Sequence, residues 1–62
     1  MAIGFDKRQD EDGRWEVFDT GNDDVVLIDG LPLSGMGEDE ADEAIRQLHA
    51  REISPDRSPE AP

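Results

Sequence analysis

Two clusters of acidic and amide side chains could supply oxygen ligands to a divalent metal ion. Residues 10–13 carry three consecutive acids before a glycine, and Asp19 is followed by Asn22, Asp23 and Asp24. Neither cluster fits the EF-hand calcium loop, which has oxygen ligands at alternating positions, a central glycine and a terminal glutamate. The sequence therefore predicts no dedicated metal site, and weak divalent-metal binding is kept as a second alternative function.

Catalytic chemistry has few candidates. The single histidine, His49, would have Ile45, Arg46 and Ile53 as neighbours at helical spacing, and none of these is a nucleophile or a second titrating base. Ser34 lacks the glycine spacing of a nucleophile elbow. The sequence thus predicts a protein that is not an enzyme, with no catalytic residue and no cofactor.

Composition narrows the choice of partners. The chain has 62 residues, no cysteine, 17 acidic and 6 basic residues, and a formal net charge of −11. Such a charge opposes direct binding to nucleic acid and to anionic membranes, and it favours a basic protein as partner. The chain has no apolar run as long as a membrane span and no signal-peptide pattern, so the expected location is the cytoplasm.

Hydrophobic periodicity predicts the α+β class, with a small three-stranded antiparallel meander at about residues 2–8, 14–19 and 24–29. The third strand is apolar on both faces, which is typical of a central strand. Val25 and Leu27 of this strand are predicted to face the core. Asp29-Gly30 then turns the chain, and Leu31, in the connector that leads to the helix, is predicted to pack on the open end of the core.

A C-terminal helix is predicted at about residues 38–52. Gly37 is an acceptable N-cap, and Glu40 stands where its carboxylate can reach back to the cap. Asp42 and Arg46 have the spacing of an i,i+4 ion pair. Residues 1–52 are expected to form a single domain. Residues 53–62, rich in proline and charge, are expected to be a disordered tail.

The order of strands and helix is similar to that of the AP2-type and integrase arm-binding domains. The similarity covers roughly residues 3–50 and depends on Gly13-Arg14-Trp15 opening the second strand, Gly35-Met36 before the helix, and Glu40-Ala41 within it. It implies the topology of those families, which bind DNA through basic strands. Their DNA-binding residues are not carried over, because the corresponding strands here are acidic: Asp6, Glu16, Asp19, Asp24 and Asp29.

Two functions follow from these patterns. The first is a small acidic protein–protein interaction module, or a homodimer, with a candidate partner surface on the second face of the sheet formed by Phe18, Val26 and Ile28. The alternative is an acidic nucleic-acid mimic, such as a phage inhibitor of a DNA-binding or defence protein. Its candidate carboxylates are those of Asp19, Asp23, Asp24, Glu38, Asp39, Asp42 and Glu43.

Overall fold

The computed structural model describes residues 4–56. Within them lie two two-stranded antiparallel sheets and one helix, which confirms the predicted α+β class. In chain order the elements are β1 (Phe5–Gln9), β2 (Trp15–Asp19), β3 (Leu27–Ile28), β4 (Leu31–Pro32) and α1 (Glu38–His49). The helix in this part of the chain is too short and too polar to cross a membrane.

Strands β1 and β2 form the first hairpin, as the sequence predicted. Their register runs from Phe5 opposite Asp19 to Gln9 opposite Trp15. At the tip, the Asp10 carboxylate accepts hydrogen bonds from the backbone N–H groups of Asp12 and Arg14, at 2.9 and 3.0 Å. These bonds satisfy backbone donors that the tight turn leaves without partners.

The predicted third strand of the meander is not confirmed. The free edge of β2 is instead occupied by two separate short pieces, because Val25 bridges to Phe18 and Met36 bridges to Trp15. Between these pieces, residues 27–32 leave the sheet as a second hairpin, made of β3 and β4. The prediction of one strand at 24–29 was therefore wrong about its continuity.

The turn at Asp29-Gly30 explains this departure. Both residues have positive φ, 53° and 80°, as the central pair of a type I′ turn does. That turn matches the twist of antiparallel strands, so Leu31 and Pro32 pair with β3. They do not continue away from it as an extended connector. An Asp-Gly pair between apolar residues is a strong hairpin signal, and the sequence interpretation used it only as a change of direction.

Helix α1 begins as predicted, with Gly37 as N-cap and the Glu40 carboxylate accepting the Gly37 N–H at 2.9 Å. It ends at His49, three residues earlier than expected. Arg51 has φ of 62°, and the N–H groups of Arg51 and Glu52 donate back to the carbonyls of Leu48 and Gln47. This is the Schellman pattern, with an arginine in the left-handed position that glycine usually occupies, which hid the helix end from sequence reasoning.

The core lies between α1 and the first hairpin, closed by the segment after β2. Its buried apolar residues are Val17, Val26, Ala41, Ala44 and Leu48. Leu27 and Leu31, which were predicted to be inside, are 44% and 70% exposed. Along residues 25–28 the alternation is the reverse of the one predicted, since a shift of one residue exchanges the two faces of a strand.

Part of the segment predicted as a tail, residues 53–56, is among the described residues. Ile53 packs against the core cluster, and the N–H of Asp56 donates to the carbonyl of Leu27 at 2.8 Å. Residues 53–56 therefore contact the folded chain, and residues 57–62 lie outside the described residues.

Lys7 joins β1 to α1. Its Nζ lies 2.9 Å from Glu38 Oε2 and 2.7 Å from Asp42 Oδ1. The predicted pair between Asp42 and Arg46 is not formed, and Arg46 pairs with Glu43. Two hydrogen bonds raise the pKa of Lys7 above its ordinary value of 10.5. The bond to Asp42 has the larger effect, and the bond to Glu38 has the next largest.

This raised pKa predicts an alkaline loss of stability. The folded state binds the Lys7 proton more tightly than the unfolded state, so the stabilisation is full below the unfolded pKa and disappears as pH rises through the folded one. Lys7 is the only lysine, and the chain has no tyrosine or cysteine to titrate beside it. We expect the urea midpoint of the wild type to fall in strongly alkaline buffer. The midpoint of the Lys7→Gln variant should fall much less over the same change of pH. An equal fall in the variant would contradict the assignment.

Candidate functional site

The residues first considered for catalysis and metal binding are dispersed. His49 is exposed at the end of α1, and its ring forms an edge-to-face pair with the ring of Phe5 at a centroid distance of 5.8 Å. Ser34 is exposed after β4. Across residues 4–56, no group of three or more histidine or carboxylate side chains is placed to hold a metal ion. Weak divalent-metal binding stays a prediction without a candidate cluster in that part of the chain.

The structure does not bring the predicted partner surface together. Val26 is 5% exposed and belongs to the core, and Ile28 packs against that core. Phe18 is half-buried because the Arg8 guanidinium lies over its ring, 4.4 Å from the centroid. These three residues therefore do not form one exposed apolar patch.

Arg8 holds its place over Phe18 through two carboxylates. Its Nε lies 2.5 Å from Glu16 Oε2, and its Nη1 lies 2.9 Å from Asp23 Oδ1. The hydrogen bond to Glu16 is the main reason that the pKa of Arg8 is raised. The guanidinium lies over the Phe18 ring and is held there by two acids, so it covers the ring on this face of the first hairpin.

The seven candidate mimic carboxylates have three different environments. Asp19 is 6% exposed and caps a turn by accepting the Gly21 N–H at 2.7 Å. Asp24 and Asp39 are exposed. The remaining four are in ion pairs, with Arg8, Lys7 or Arg46: Asp23, Glu38, Asp42 and Glu43. Cations thus interrupt the acidic surface that these seven residues were expected to form.

Leu27 and Leu31 are the large apolar side chains that are exposed among the described residues. Both belong to the second hairpin, residues 27–32. In its register Leu27 faces Pro32 and Ile28 faces Leu31, so the two leucines project from opposite faces of the ribbon. Sequence reasoning missed the exposure of both leucines because it placed them in the core.

The turn of the second hairpin is fixed by a residue from the far end of the chain. The Asp56 carboxylate accepts the N–H of Asp29 at 2.6 Å through Oδ1 and the N–H of Gly30 at 2.8 Å through Oδ2. Two charge-assisted bonds to consecutive N–H groups hold the turn in one conformation. The exposed leucines are therefore presented on an ordered hairpin.

A cleft of about 580 Å³ lies beside this hairpin, between residues 24–27 and 55–56; we call it the hairpin cleft. Its walls include apolar side chains: Phe5, Val25, Leu27 and Pro55. Carboxylates also line it: Asp19, Asp24 and Asp56. A concave apolar surface with a few polar groups is the usual form of a binding site, and the acids select positive charge.

Comparison with known proteins adds no further evidence: no family model, curated protein or solved structure matches this chain. The topological similarity to AP2-type and integrase arm-binding domains gains no support from these comparisons.

Proposed function

We propose that this chain is a non-enzymatic protein-binding module that contacts a basic partner protein through the second hairpin. The observation that carries the proposal is the 70% exposure of Leu31 on a hairpin whose turn is pinned by Asp56. Single exposed leucines are common on protein surfaces. Here Leu27 is also exposed on the same six-residue segment, in a small chain whose core has few large apolar side chains.

Electrostatics favour a basic partner over a second copy of the chain. Asp29 lies in the turn of the second hairpin, Asp56 binds that turn, Asp24 lines the cleft beside Leu27, and the whole chain carries a formal net charge of −11. A homodimer through this hairpin would bring like charges together, whereas a basic protein would be attracted and correctly oriented. The same charge opposes direct contact with nucleic acid phosphates.

The experiment is quantitative affinity capture with wild type and two variants. Leu31→Ser removes the exposed apolar side chain, and its exposure means that the fold is retained, which circular dichroism checks. We expect recovery of a basic partner to fall by about tenfold, as removal of a central apolar contact costs about 1.4 kcal/mol or more. The matched surface variant Asp39→Ser lies on α1 and should leave recovery unchanged. Equal recovery by wild type and Leu31→Ser would contradict the proposal, as would a homodimer in sedimentation.

The nucleic-acid mimic is the second candidate, and one observation favours it. Because Trp15 bridges to Met36, the tip of the first hairpin and the N-terminus of α1 lie at the same end of the molecule. Among the described residues, the acids at 10–12 and at Asp39 have no cation within ion-pair distance. A mimic would use this end. Capture of a DNA-binding protein that Asp39→Ser weakens and Leu31→Ser does not would support it in place of the first proposal.

A further inference from the structure

We propose that the hairpin cleft receives an arginine side chain of the partner protein. The inference rests on the proposed function and adds to it the chemical group that the partner supplies. The cleft, of about 580 Å³, is wide enough for a guanidinium side chain together with part of the backbone that carries it.

Asp19 is the first reason. It lines the cleft, yet it is only 6% exposed. One of its oxygens accepts the Gly21 N–H, and within residues 4–56 the other accepts no hydrogen bond and no cation lies within ion-pair distance. That second oxygen is not among the buried atoms of the described residues that lack a partner, so it keeps access to solvent, and a cation that enters the cleft could bind it.

The walls favour arginine over lysine. Phe5 offers a ring face or edge, and Val25, Leu27 and Pro55 offer apolar surface for the methylene stem. A guanidinium is planar, weakly hydrated and able to bond two acceptors at once, so it suits a cleft with apolar walls and carboxylates on more than one side. Asp24 and Asp56 supply those further carboxylates.

The cations of the chain itself that have assigned partners are engaged elsewhere. Lys7 and Arg46 bind acids of α1, and Arg8 binds Glu16 and Asp23 on the other face of the first hairpin. The Nη1 of Arg14 donates to the carbonyl of Gly35 at 3.3 Å. None of these four lines the cleft. Among residues 4–56 no cation of the chain lines the cleft, which leaves its carboxylates open to a cation of another molecule.

The test uses dipeptides as probes and amide chemical shifts of the ¹⁵N-labelled full chain as the readout. The probes are N-acetyl-arginyl-leucinamide, its lysyl counterpart and the citrullyl counterpart, which has the same shape as the arginyl peptide without its charge. We expect saturable shifts at residues 19–27 and 55–56 with the arginyl peptide, weaker shifts with lysine and at least about tenfold weaker binding with citrulline. Equal binding of the citrullyl peptide, or shifts spread over the acids of α1, would overturn the inference.

Two variants localise the effect. Asp24→Asn removes one exposed carboxylate from the cleft without changing its size, and should weaken the arginyl peptide severalfold. Asp39→Asn makes the same change on α1 and should have no effect. If the two variants weaken binding equally, attraction is only to net charge and the inference fails. If the peptide does not bind the cleft while Leu31→Ser still lowers capture of the partner by about tenfold, this inference falls and the proposed function stands.

Discussion

Replacing Leu48 with alanine is expected to lower the free energy of unfolding by about 2–5 kcal/mol, the usual effect of such a truncation in a core. Leu48 is 5% exposed and belongs to the cluster that joins α1 to the first hairpin. A chain of 62 residues has a total stability of only about 3–9 kcal/mol. The variant should therefore lose a large share of the total stability of the fold.

Urea denaturation, followed by the fluorescence of Trp15, measures this loss. The matched control is Leu31→Ala, which deletes the same atoms from a side chain that is 70% exposed. The control should change the free energy of unfolding by less than about 0.5 kcal/mol, as surface substitutions commonly do. Similar losses in the two variants would mean that Leu31 is buried as deeply as Leu48 and would contradict the described core.

Replacing Asp56 with alanine is expected to open the second hairpin while the rest of the fold persists. The change removes both acceptors for the N–H groups of Asp29 and Gly30. Hydrogen bonds to a charged group contribute about 1.5–3 kcal/mol each when they are well formed, and less when solvent reaches them. Amide exchange at Asp29 and Gly30 should accelerate by about ten- to a hundredfold, since about 1.4 kcal/mol corresponds to a factor of ten.

Two variants control for this effect. Asp56→Asn keeps one carbonyl acceptor and should give an intermediate rate. Glu52→Ala removes an acid from the same segment, and its carboxylate accepts no hydrogen bond from the described residues, so exchange in the hairpin should not change. Unchanged exchange at Asp29 and Gly30 in Asp56→Ala would show that the turn holds itself without the carboxylate.

The parts of the fold that the sequence predicted correctly have local causes. The start of α1 follows from Gly37 and Glu40, which are three residues apart and form the cap without any contact from elsewhere in the chain. The first hairpin follows from alternating strands around a turn at residues 10–13. In both cases a few consecutive residues determine the conformation.

The parts that the sequence did not predict depend on contacts across the chain. The second hairpin was partly signalled by Asp29-Gly30, but its turn also depends on Asp56, which is 27 residues after Asp29. The inward face of residues 25–26 is set by their pairing with β2, and periodicity alone left two choices. The helix end depends on Arg51 accepting a conformation that favours glycine.

The candidate site shows the same division. Net charge predicted a basic partner without any knowledge of the fold, and that prediction remains part of the proposal. The surface proposed for the partner moved from Phe18, Val26 and Ile28 to the second hairpin, because Arg8 covers Phe18 and Val26 is in the core. A one-residue difference in strand alternation decides which apolar side chains face solvent.

Hydrogen–deuterium exchange of the chain, alone and with the captured basic partner, would locate the bound surface. We expect slower exchange in the bound chain at residues 25–32, which carry Leu27 and Leu31, and unchanged exchange at the tip of the first hairpin and in the first turn of α1. Protection confined to residues 10–13 and 38–43, with the second hairpin unaffected, would contradict this expectation and assign binding to the acidic end of the molecule.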